Sequence, residues 1–261
     1  MTSPAGAPAL LAAHDLRVSF DERHGRIDAL RGVSLHVQPG EVLAVVGESG
    51  SGKSTLARAL LGMVPVRSGT LSLASEHLPP SAATRSVAQR RQLGMVFQDS
   101  MAALDPRFTV ERILREPIAL LDRGDTRRTP SDSATIAALL DAVGLSAALL
   151  QRRPHELSGG QRQRVGIARA LAGDPKLLIC DEAVSALDVS VQAQILNLLV
   201  DLQSERRLAM IFITHDLSVV SYIADRITVM YQGELLETGD VDQILDRPRH
   251  AYTQRLLAAA L

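Results

Sequence analysis

The clearest indication of the fold is the glycine-rich segment Gly47-Glu48-Ser49-Gly50-Ser51-Gly52-Lys53-Ser54-Thr55. It follows the apolar run Glu41–Val46, which is typical of a buried strand, and it leads into a helical pattern over Ser54–Leu61. A glycine-rich turn in this position lets backbone N–H groups surround a phosphate, and the helix N-terminus adds its dipole. We therefore predict a P-loop in which Lys53 reaches the β- and γ-phosphates and the Ser54 hydroxyl ligates Mg²⁺. The residues predicted to bind the nucleotide here are Gly47, Ser49, Gly50, Gly52, Lys53, Ser54 and Thr55.

Three further apolar runs end in polar residues, and helical patterns lie between them. Gln98 ends the run Leu93–Phe97, Asp181 and Glu182 follow Leu177–Cys180, and His215 follows Ala209–Thr214. The helical patterns cover Ala134–Val143, Gly160–Ala172 and Val191–Gln203. Alternating strands and helices predict an α/β fold with a parallel sheet, whose carboxyl ends form the ligand-binding edge. We expect these polar residues to lie at that edge.

The remaining segments differ from this pattern. Leu16–Leu35 is predicted to form short strands joined by a turn at Arg23–Arg26. The chain from Gln98 to about Arg153 is helical and rich in loops, with a polar segment at Asp122–Ser133 that we expect to be mobile. This pattern indicates a helical subdomain inserted into the core.

The composition of the 261 residues excludes several classes of protein. Charged residues make up 22% and the formal net charge is −1, so no overall field favours nucleic acid. The arginines between Arg85 and Arg169 are predicted to form a solvated helical face. A single cysteine, Cys180, excludes an internal disulfide or a cysteine metal cluster and is predicted to pack in the core. The longest apolar runs are far shorter than the ~20 residues of a membrane helix, so we expect a protein of the cytosol.

Asp181 and Glu182 form a pair with two distinct predicted roles. A carboxylate at a strand end can hold Mg²⁺ through water, and the next one can accept a proton from the attacking water. We assign the metal role to Asp181 and the general-base role to Glu182.

A second candidate phosphate site lies at Leu157-Ser158-Gly159-Gly160-Gln161, in front of a long amphipathic helix. Ser158 and the two glycines occupy a helix N-terminus, where backbone N–H groups are free to bind an anion. One nucleotide needs only one P-loop. The second site must therefore serve another nucleotide, or the nucleotide of another subunit.

With these motifs, the chain resembles an ATP-binding subunit of an ABC transporter from about Leu10 to Leu261. Leu157–Gln161 matches the family signature, Gln98 resembles the Q-loop glutamine, Ser185–Asp188 the D-loop and His215 the switch histidine. The resemblance implies an α/β P-loop NTPase core of the ABC ATPase type with an antiparallel front sheet and an inserted helical subdomain. The implied parts are a flexible tail at residues 1–9, a core at about 10–97 and 167–240, a helical subdomain at about 98–166 and a C-terminal helical tail at about 241–261.

The same resemblance implies how the protein works. Two ATPase subunits, identical or paralogous, pair head to tail, so that Ser158, Gly159 and Gly160 of one act on the ATP of the other. Gln161 and Asp188 are further implied nucleotide-binding residues. Glu182, His215 and Gln98 are the implied catalytic residues, and Ser54, Gln98 and Asp181 the implied Mg²⁺ ligands. Further implied partners are two integral membrane permeases, touched by Ser100–Glu116, and through them an extracytoplasmic substrate-binding protein. The implied location is the cytoplasmic face of the cell membrane, without nucleic acid.

Some assignments have a plainer alternative. Gln98 could be an ordinary strand-end residue, and His215 a buried histidine with satisfied hydrogen bonds. Phe20 resembles the aromatic residue that stacks on adenine in this family, but its alternation with Val18 also fits a core strand. A soluble ABC ATPase of DNA repair or translation would carry coiled-coil insertions or two fused ATPase domains, and a P-loop kinase would leave Leu157–Gln161 unexplained.

The branch of the family follows from three stretches. Phe97–Arg107, Ala186–Gln194 and Pro248–Thr253 resemble the subunits that energise import of peptides or nickel. Ala183-Val184 departs from the usual proline, as in nickel-type subunits, and the chain ends at Leu261 without the cysteine-bearing extension of many peptide subunits. We expect an importer of di- or oligopeptides or of nickel and other metal chelates, with peptides favoured.

Overall fold

The computed structural model describes residues 8–22, 25–122 and 133–260. The strands are β1 (Leu11–Glu22), β2 (Gly25–Val37), β3 (Val42–Val46), β4 (Ser68–Leu73), β5 (Glu76–His77), β6 (Leu93–Val96), β7 (Leu177–Asp181), β8 (Ala209–Ile213), β9 (Arg226–Tyr231) and β10 (Glu234–Asp240). The helices are α1 (Lys53–Leu61), α2 (Val87–Arg91), α3 (Ser100–Ala103), α4 (Val110–Asp122), α5 (Ser133–Ala142), α6 (Gly159–Leu171), α7 (Val189–Arg206), α8 (Leu217–Ile223), α9 (Val241–Asp246) and α10 (Ala251–Ala260). The four predicted strands after the front segment and the four predicted helices are confirmed to within three residues at each end.

The chain divides into two compact units. One consists of the chain up to Arg85 together with the chain from Ala209 onward, and the other is Ser86–Leu208. The domain boundaries implied by the resemblance stay a prediction. So do the flexible tail and the mobile segment, because residues 1–7 and 123–132 lie outside the described residues. Among the helices of the described stretches, none is long and apolar enough to cross a membrane.

The first unit contains the sheet that carries the glycine-rich loop. In it β3 lies between β8 and β9, both parallel to it, and β10 pairs antiparallel with β9. All residues of β3 and β8 are buried, as expected for apolar strands covered on both faces. Because Val45 pairs with Ile213, the carboxyl ends of β3 and β8 lie at one edge. Gly47 and His215 therefore follow their strands at the same edge of this sheet.

The first unit also contains the antiparallel front sheet, in the order β2-β1-β4-β5. The prediction of short strands within Leu16–Leu35 is wrong in length, since β1 and β2 are both longer than ten residues. The cause is an irregularity of register between Ala13 and Leu16. There the exposed His14 and Asp15 interrupt the alternation of buried and exposed residues while the strand continues. The predicted turn at Arg23–Arg26 is wrong in its second half, because Gly25 and Arg26 belong to β2, and residues 23 and 24 lie outside the described residues.

The second unit is built around the parallel pair β6 and β7 and the helix α6. The register joins Val96 to Cys180, which sets the ends of both strands side by side. Helix α6 packs against β6 and against α3, α4, α5 and α7. Cys180 is fully buried and burial raises its pKa to about 12, so the prediction of an unreactive core thiol is confirmed.

The arginines between Arg85 and Arg169 do not all form a solvated face. Arg107 and Arg152 are exposed and pair with nearby carboxylates, but both lie in loops and not on a helical face. Arg85 instead is 3% exposed, and its Nε donates to the Pro79 carbonyl at 2.8 Å. Burial lowers the pKa of Arg85 to about 10. Arg169, in the second unit, has a structural role described below.

Candidate functional site

The glycine-rich loop between β3 and α1 requires glycine for steric reasons. Gly52 has φ 109°, a left-handed value, and a Cβ there would lie 2.7 Å from the Ala29 carbonyl oxygen. A Cβ at Gly47 would collide with the Met230 carbonyl of β9. The backbone of the loop therefore packs directly against the backbone at Ala29 and Met230, and a side chain at Gly47 or Gly52 would prevent this contact.

Lys53 lies within the curve of this loop. Its Nζ donates hydrogen bonds of 2.8 Å to the carbonyl oxygens of Gly47 and Glu48, and a longer one of 3.5 Å to Ser51 Oγ. Lys53 is 6% exposed, and a buried ammonium requires such partners. The loop thus holds a positive charge at its centre, where a phosphate would lie.

The start of α1 is suited to an anion. Its N-cap is Gly52, which has no side chain to accept a hydrogen bond, and its first turn contains no acidic residue. The first N–H groups of a helix have no intrahelical acceptor, and they attract negative charge. Ser54 and Thr55 in this turn are half-buried, whereas Ser49 and Gly50 of the loop are exposed. The predicted phosphate-binding residues consequently form one continuous site around Lys53.

Two other predicted residues of the first unit lie at its surface. His215 follows β8 and is exposed, which excludes the alternative of a buried histidine. The next turn is fixed by Asp216, whose carboxylate accepts hydrogen bonds from the N–H groups of Ser218 and Val219 at the start of α8. Phe20 on β1 is half-buried opposite Ile27, which is 49% exposed. Phe20 is neither fully buried nor fully exposed, so both alternatives for it stand.

In the second unit Gln98 and Glu182 meet. Glu182 Oε2 accepts a hydrogen bond from Gln98 Nε2 at 2.8 Å, because the register of β6 and β7 brings the residues after both strands together. Glu182 has φ 49°, a left-handed conformation that costs a residue with a side chain on the order of 1–3 kcal/mol. Asp181, the last residue of β7, is 5% exposed. Gln98 is thus not an isolated strand-end residue. Glu182, whose backbone is strained, is half-buried and follows the buried Asp181.

The signature segment begins α6 through a capping box. Ser158 Oγ accepts from the Gln161 N–H at 3.2 Å, and Gln161 Oε1 accepts from the Ser158 N–H at 2.9 Å. Helix geometry gives the N–H groups of Gly159 and Gly160 no intrahelical acceptor. Ser158 is exposed. This end of α6 can therefore bind an anion presented from outside.

The D-loop lies next to the signature segment. Asp188 is the N-cap of α7, and its carboxylate accepts from the Val191 N–H at 2.9 Å. Hydrogen bonds from the Val191 N–H and the Ser190 hydroxyl lower the pKa of Asp188. A Cβ at Gly160 would lie 2.7 Å from Val191 Cγ1, so glycine allows the two helix starts to approach.

Sequence reasoning missed two connections. Arg169 of α6 donates to the Ala103 carbonyl, and its guanidinium lies 5.8 Å from the centre of the Phe97 ring, which links the signature helix to the segment after Gln98. Tyr252 of α10 contacts the glycine-rich loop. Neither contact has a local signal in the sequence, because the partners are far apart along the chain.

Comparisons with known proteins agree with this geometry. Residues 30–185 match the family model described as ABC transporter. The chain is 45% identical to the oligopeptide transport ATP-binding protein OppF of Salmonella typhimurium, over 96% of this chain and 77% of the relative. It is 44% identical to the glutathione import ATP-binding protein GsiA of Pectobacterium atrosepticum, over 99% of this chain and 42% of the relative.

Among solved structures, the fold is similar to the dimeric, post-hydrolysis state of the ATP-binding cassette MJ0796 bound to ADP and phosphate. The TM-score is 0.77 with 26% identity, and the similarity covers 88% of this chain and 98% of that one.

Proposed function

Because the chain belongs to the ABC transporter family, as an ATP-binding subunit that hydrolyses ATP, we propose that it energises the import of peptides through a membrane permease. The proposal that the subunit binds ATP rests on the geometry of the loop around Lys53. A buried ammonium, held by two carbonyl oxygens, lies beside a helix start without a side-chain cap. Phosphates of ATP supply the negative charge that this arrangement requires.

We propose a role in ATP hydrolysis for each of the predicted site residues. Lys53 and the N–H groups of the loop bind the β- and γ-phosphates, and Glu182 takes a proton from the water that attacks the γ-phosphorus. The hydrogen bond from Gln98 holds the Glu182 carboxylate in one orientation. His215 contacts the γ-phosphate, and Phe20 stacks on adenine.

Mg²⁺ is part of this proposal, and the available ligands fit it. Asp181, Ser54 and Gln98 each offer an oxygen ligand, the kind that Mg²⁺ prefers. In the described stretches no group of three or more His, Cys, Asp or Glu could hold a metal by itself. Mg²⁺ is commonly bound by one or two carboxylates together with substrate phosphates, so this pattern is the expected one. When bound, the ion neutralises charge that develops on the phosphate oxygens.

The signature residues are proposed to act on a partner's ATP. Ser158 is exposed, while Gly159, Gly160 and Gln161 begin α6 next to the D-loop Asp188. A dimeric cassette is among the similar solved structures, which supports pairing of two subunits. The partner is an identical copy or a paralogue, in a head-to-tail arrangement.

The permease is proposed to bind the segment 100–116. Met101 in this segment is 42% exposed, which is unusual for a large apolar side chain and suits a protein contact. Arg169 ties this segment to α6, so a movement of the permease contact would be transmitted to the signature helix. We propose that the subunit binds the cytoplasmic face of the membrane in this way. In this proposal an extracytoplasmic substrate-binding protein delivers the peptide to the permease, and the ATPase subunit is linked to it only through the permease.

The proposed substrate rests on the relatives. The names of the relatives cited above are those of ATP-binding proteins for oligopeptide transport and glutathione import. A strain without this gene should lose uptake of labelled di- and tripeptides, and a plasmid copy should restore it. A plasmid copy with Lys53→Ala should fail, whereas Lys176→Ala, at the only other lysine, should succeed. If the deletion strain took up peptides normally but lost nickel uptake, the substrate would be nickel and not a peptide. A defect in efflux would show that the proposal of import is wrong.

A further inference from the structure

The C-terminal helix α10 brings a buried phenol to the phosphate-binding loop. The Glu48 N–H donates a hydrogen bond of 3.4 Å to Tyr252 Oη, across 204 residues of sequence. Tyr252 is 4% exposed and belongs to a core cluster with Ala44 and Val46 of β3, the strand that leads into the loop. Its ring centre lies 4.2 Å from that of Tyr231. The hydroxyl therefore has a defined position.

The start of α10 is fixed by hydrogen bonds to β10. The two carboxylate oxygens of Glu237 accept from the N–H groups of Arg249, at 2.9 Å, and His250, at 3.0 Å. His250 Nδ1 accepts from the Tyr252 N–H at 3.1 Å. Burial opposes ionisation of Glu237, but the backbone hydrogen bonds outweigh it and the pKa is lowered. A charged Glu237 thus anchors the turn that presents Tyr252.

One peptide group joins Tyr252 to the phosphate-binding lysine. Lys53 Nζ donates to the Gly47 carbonyl at 2.8 Å, and the N–H of the same peptide group, from Glu48, donates to Tyr252. Rotation of this peptide plane would break both bonds together, since a planar peptide turns as a unit. Burial raises the pKa of Tyr252 and outweighs the hydrogen bond from the Glu48 N–H, which lowers it, so the hydroxyl stays protonated at neutral pH.

We propose that Tyr252 is a positioning residue for ATP binding: its hydroxyl holds the plane of the Gly47–Glu48 peptide and, through it, Lys53. This inference rests on the proposed role of the loop in binding ATP. It makes the C-terminal helix a part of the nucleotide site's support. Tyr252 does not touch the nucleotide, and its effect passes through the peptide group.

The test compares two variants that each remove one hydroxyl from the same ring pair. Tyr252→Phe keeps the ring and loses the bond to the loop. Tyr231→Phe is the matched control, because the Tyr231 hydroxyl contacts the exposed Gln232 side chain. Equilibrium titration with ATP and Mg²⁺ should give a Kd about 2- to 12-fold higher for Tyr252→Phe, the worth of one hydrogen bond. The control should equal the wild type.

A structural role alone would lower the unfolding temperature without changing the Kd. The inference is overturned if both variants bind ATP as the wild type does, or if both lose the same affinity. Glu237→Gln weakens the hydrogen bonds that hold the start of α10, so it should also raise the Kd for ATP. It is the variant to test if Tyr252→Phe does not fold. If wild type itself fails to bind ATP, or if Lys53→Ala binds equally well, the proposed function fails instead.

Discussion

Replacement of Glu182 by glutamine separates ATP binding from hydrolysis. The carboxylate of Glu182 accepts from Gln98 Nε2 at 2.8 Å, and a glutamine Oε1 at the same position can accept the same hydrogen bond. The left-handed φ of 49° imposes the same strain on both residues. The variant should therefore fold as the wild type does, and it loses only the ability to take a proton.

The expected loss follows from the role of a general base. Such a group contributes on the order of 10²–10⁴ to a rate, which is about 2.7–5.4 kcal/mol of activation free energy. ATP affinity should stay close to that of wild type, because Glu182 is proposed to act on the attacking water and not on the bound phosphates. With binding kept and turnover lost, the ATP-bound dimer should accumulate.

Three measurements check this expectation. Phosphate release gives the turnover, titration with ATP gives the Kd, and size-exclusion chromatography with ATP and Mg²⁺ gives the fraction of dimer. Glu205→Gln is the matched control, since Glu205 is an exposed glutamate on α7, outside the predicted site residues. It should behave as the wild type in all three.

The reasoning is refuted if Glu182→Gln hydrolyses ATP at a rate near that of wild type. The base would then lie elsewhere, and His215, the exposed histidine after β8, would be the next candidate. Loss of ATP binding in parallel with turnover would mean that Glu182 supports the nucleotide site as a whole.

Two further predictions concern the phosphate sites. Ser158→Arg should leave ATP binding by the isolated subunit unchanged but abolish hydrolysis by the pair, because a bulky cation would fill the exposed start of α6. Ser146→Arg, at another exposed capping serine, is the control. If Ser158→Arg lowered the ATP affinity of the isolated subunit as much as it lowered hydrolysis, the in-trans role would be contradicted. Lys53→Ala should weaken binding of a slowly hydrolysed ATP analogue by about 1.5–3 kcal/mol, the range for hydrogen bonds to charged groups. Lys176→Ala is its control, and an unchanged Kd for Lys53→Ala would mean that the loop is not the nucleotide site.

Chemistry that depends on contiguous residues could be predicted from the sequence alone. The glycine-rich loop could be read because glycines, a lysine and a serine must follow one another to surround a phosphate. The strands β3, β6, β7 and β8 could be read because strands buried on both faces are continuously apolar. The family followed from the loop together with Leu157–Gln161, and the comparisons confirm it.

Contacts between residues far apart in the sequence could be identified only from the folded chain. The bond between Gln98 and Glu182 joins residues 84 positions apart, and it depends on the register of β6 and β7. The left-handed backbone of Glu182 and the length of β1 across its irregularity have no local signal in the sequence. The same holds for Tyr252, whose ring reaches Glu48 because the core cluster and Glu237 fix the start of α10. Sequence patterns record which face of a strand or helix is buried, whereas pairing between distant segments depends on packing that no single segment contains.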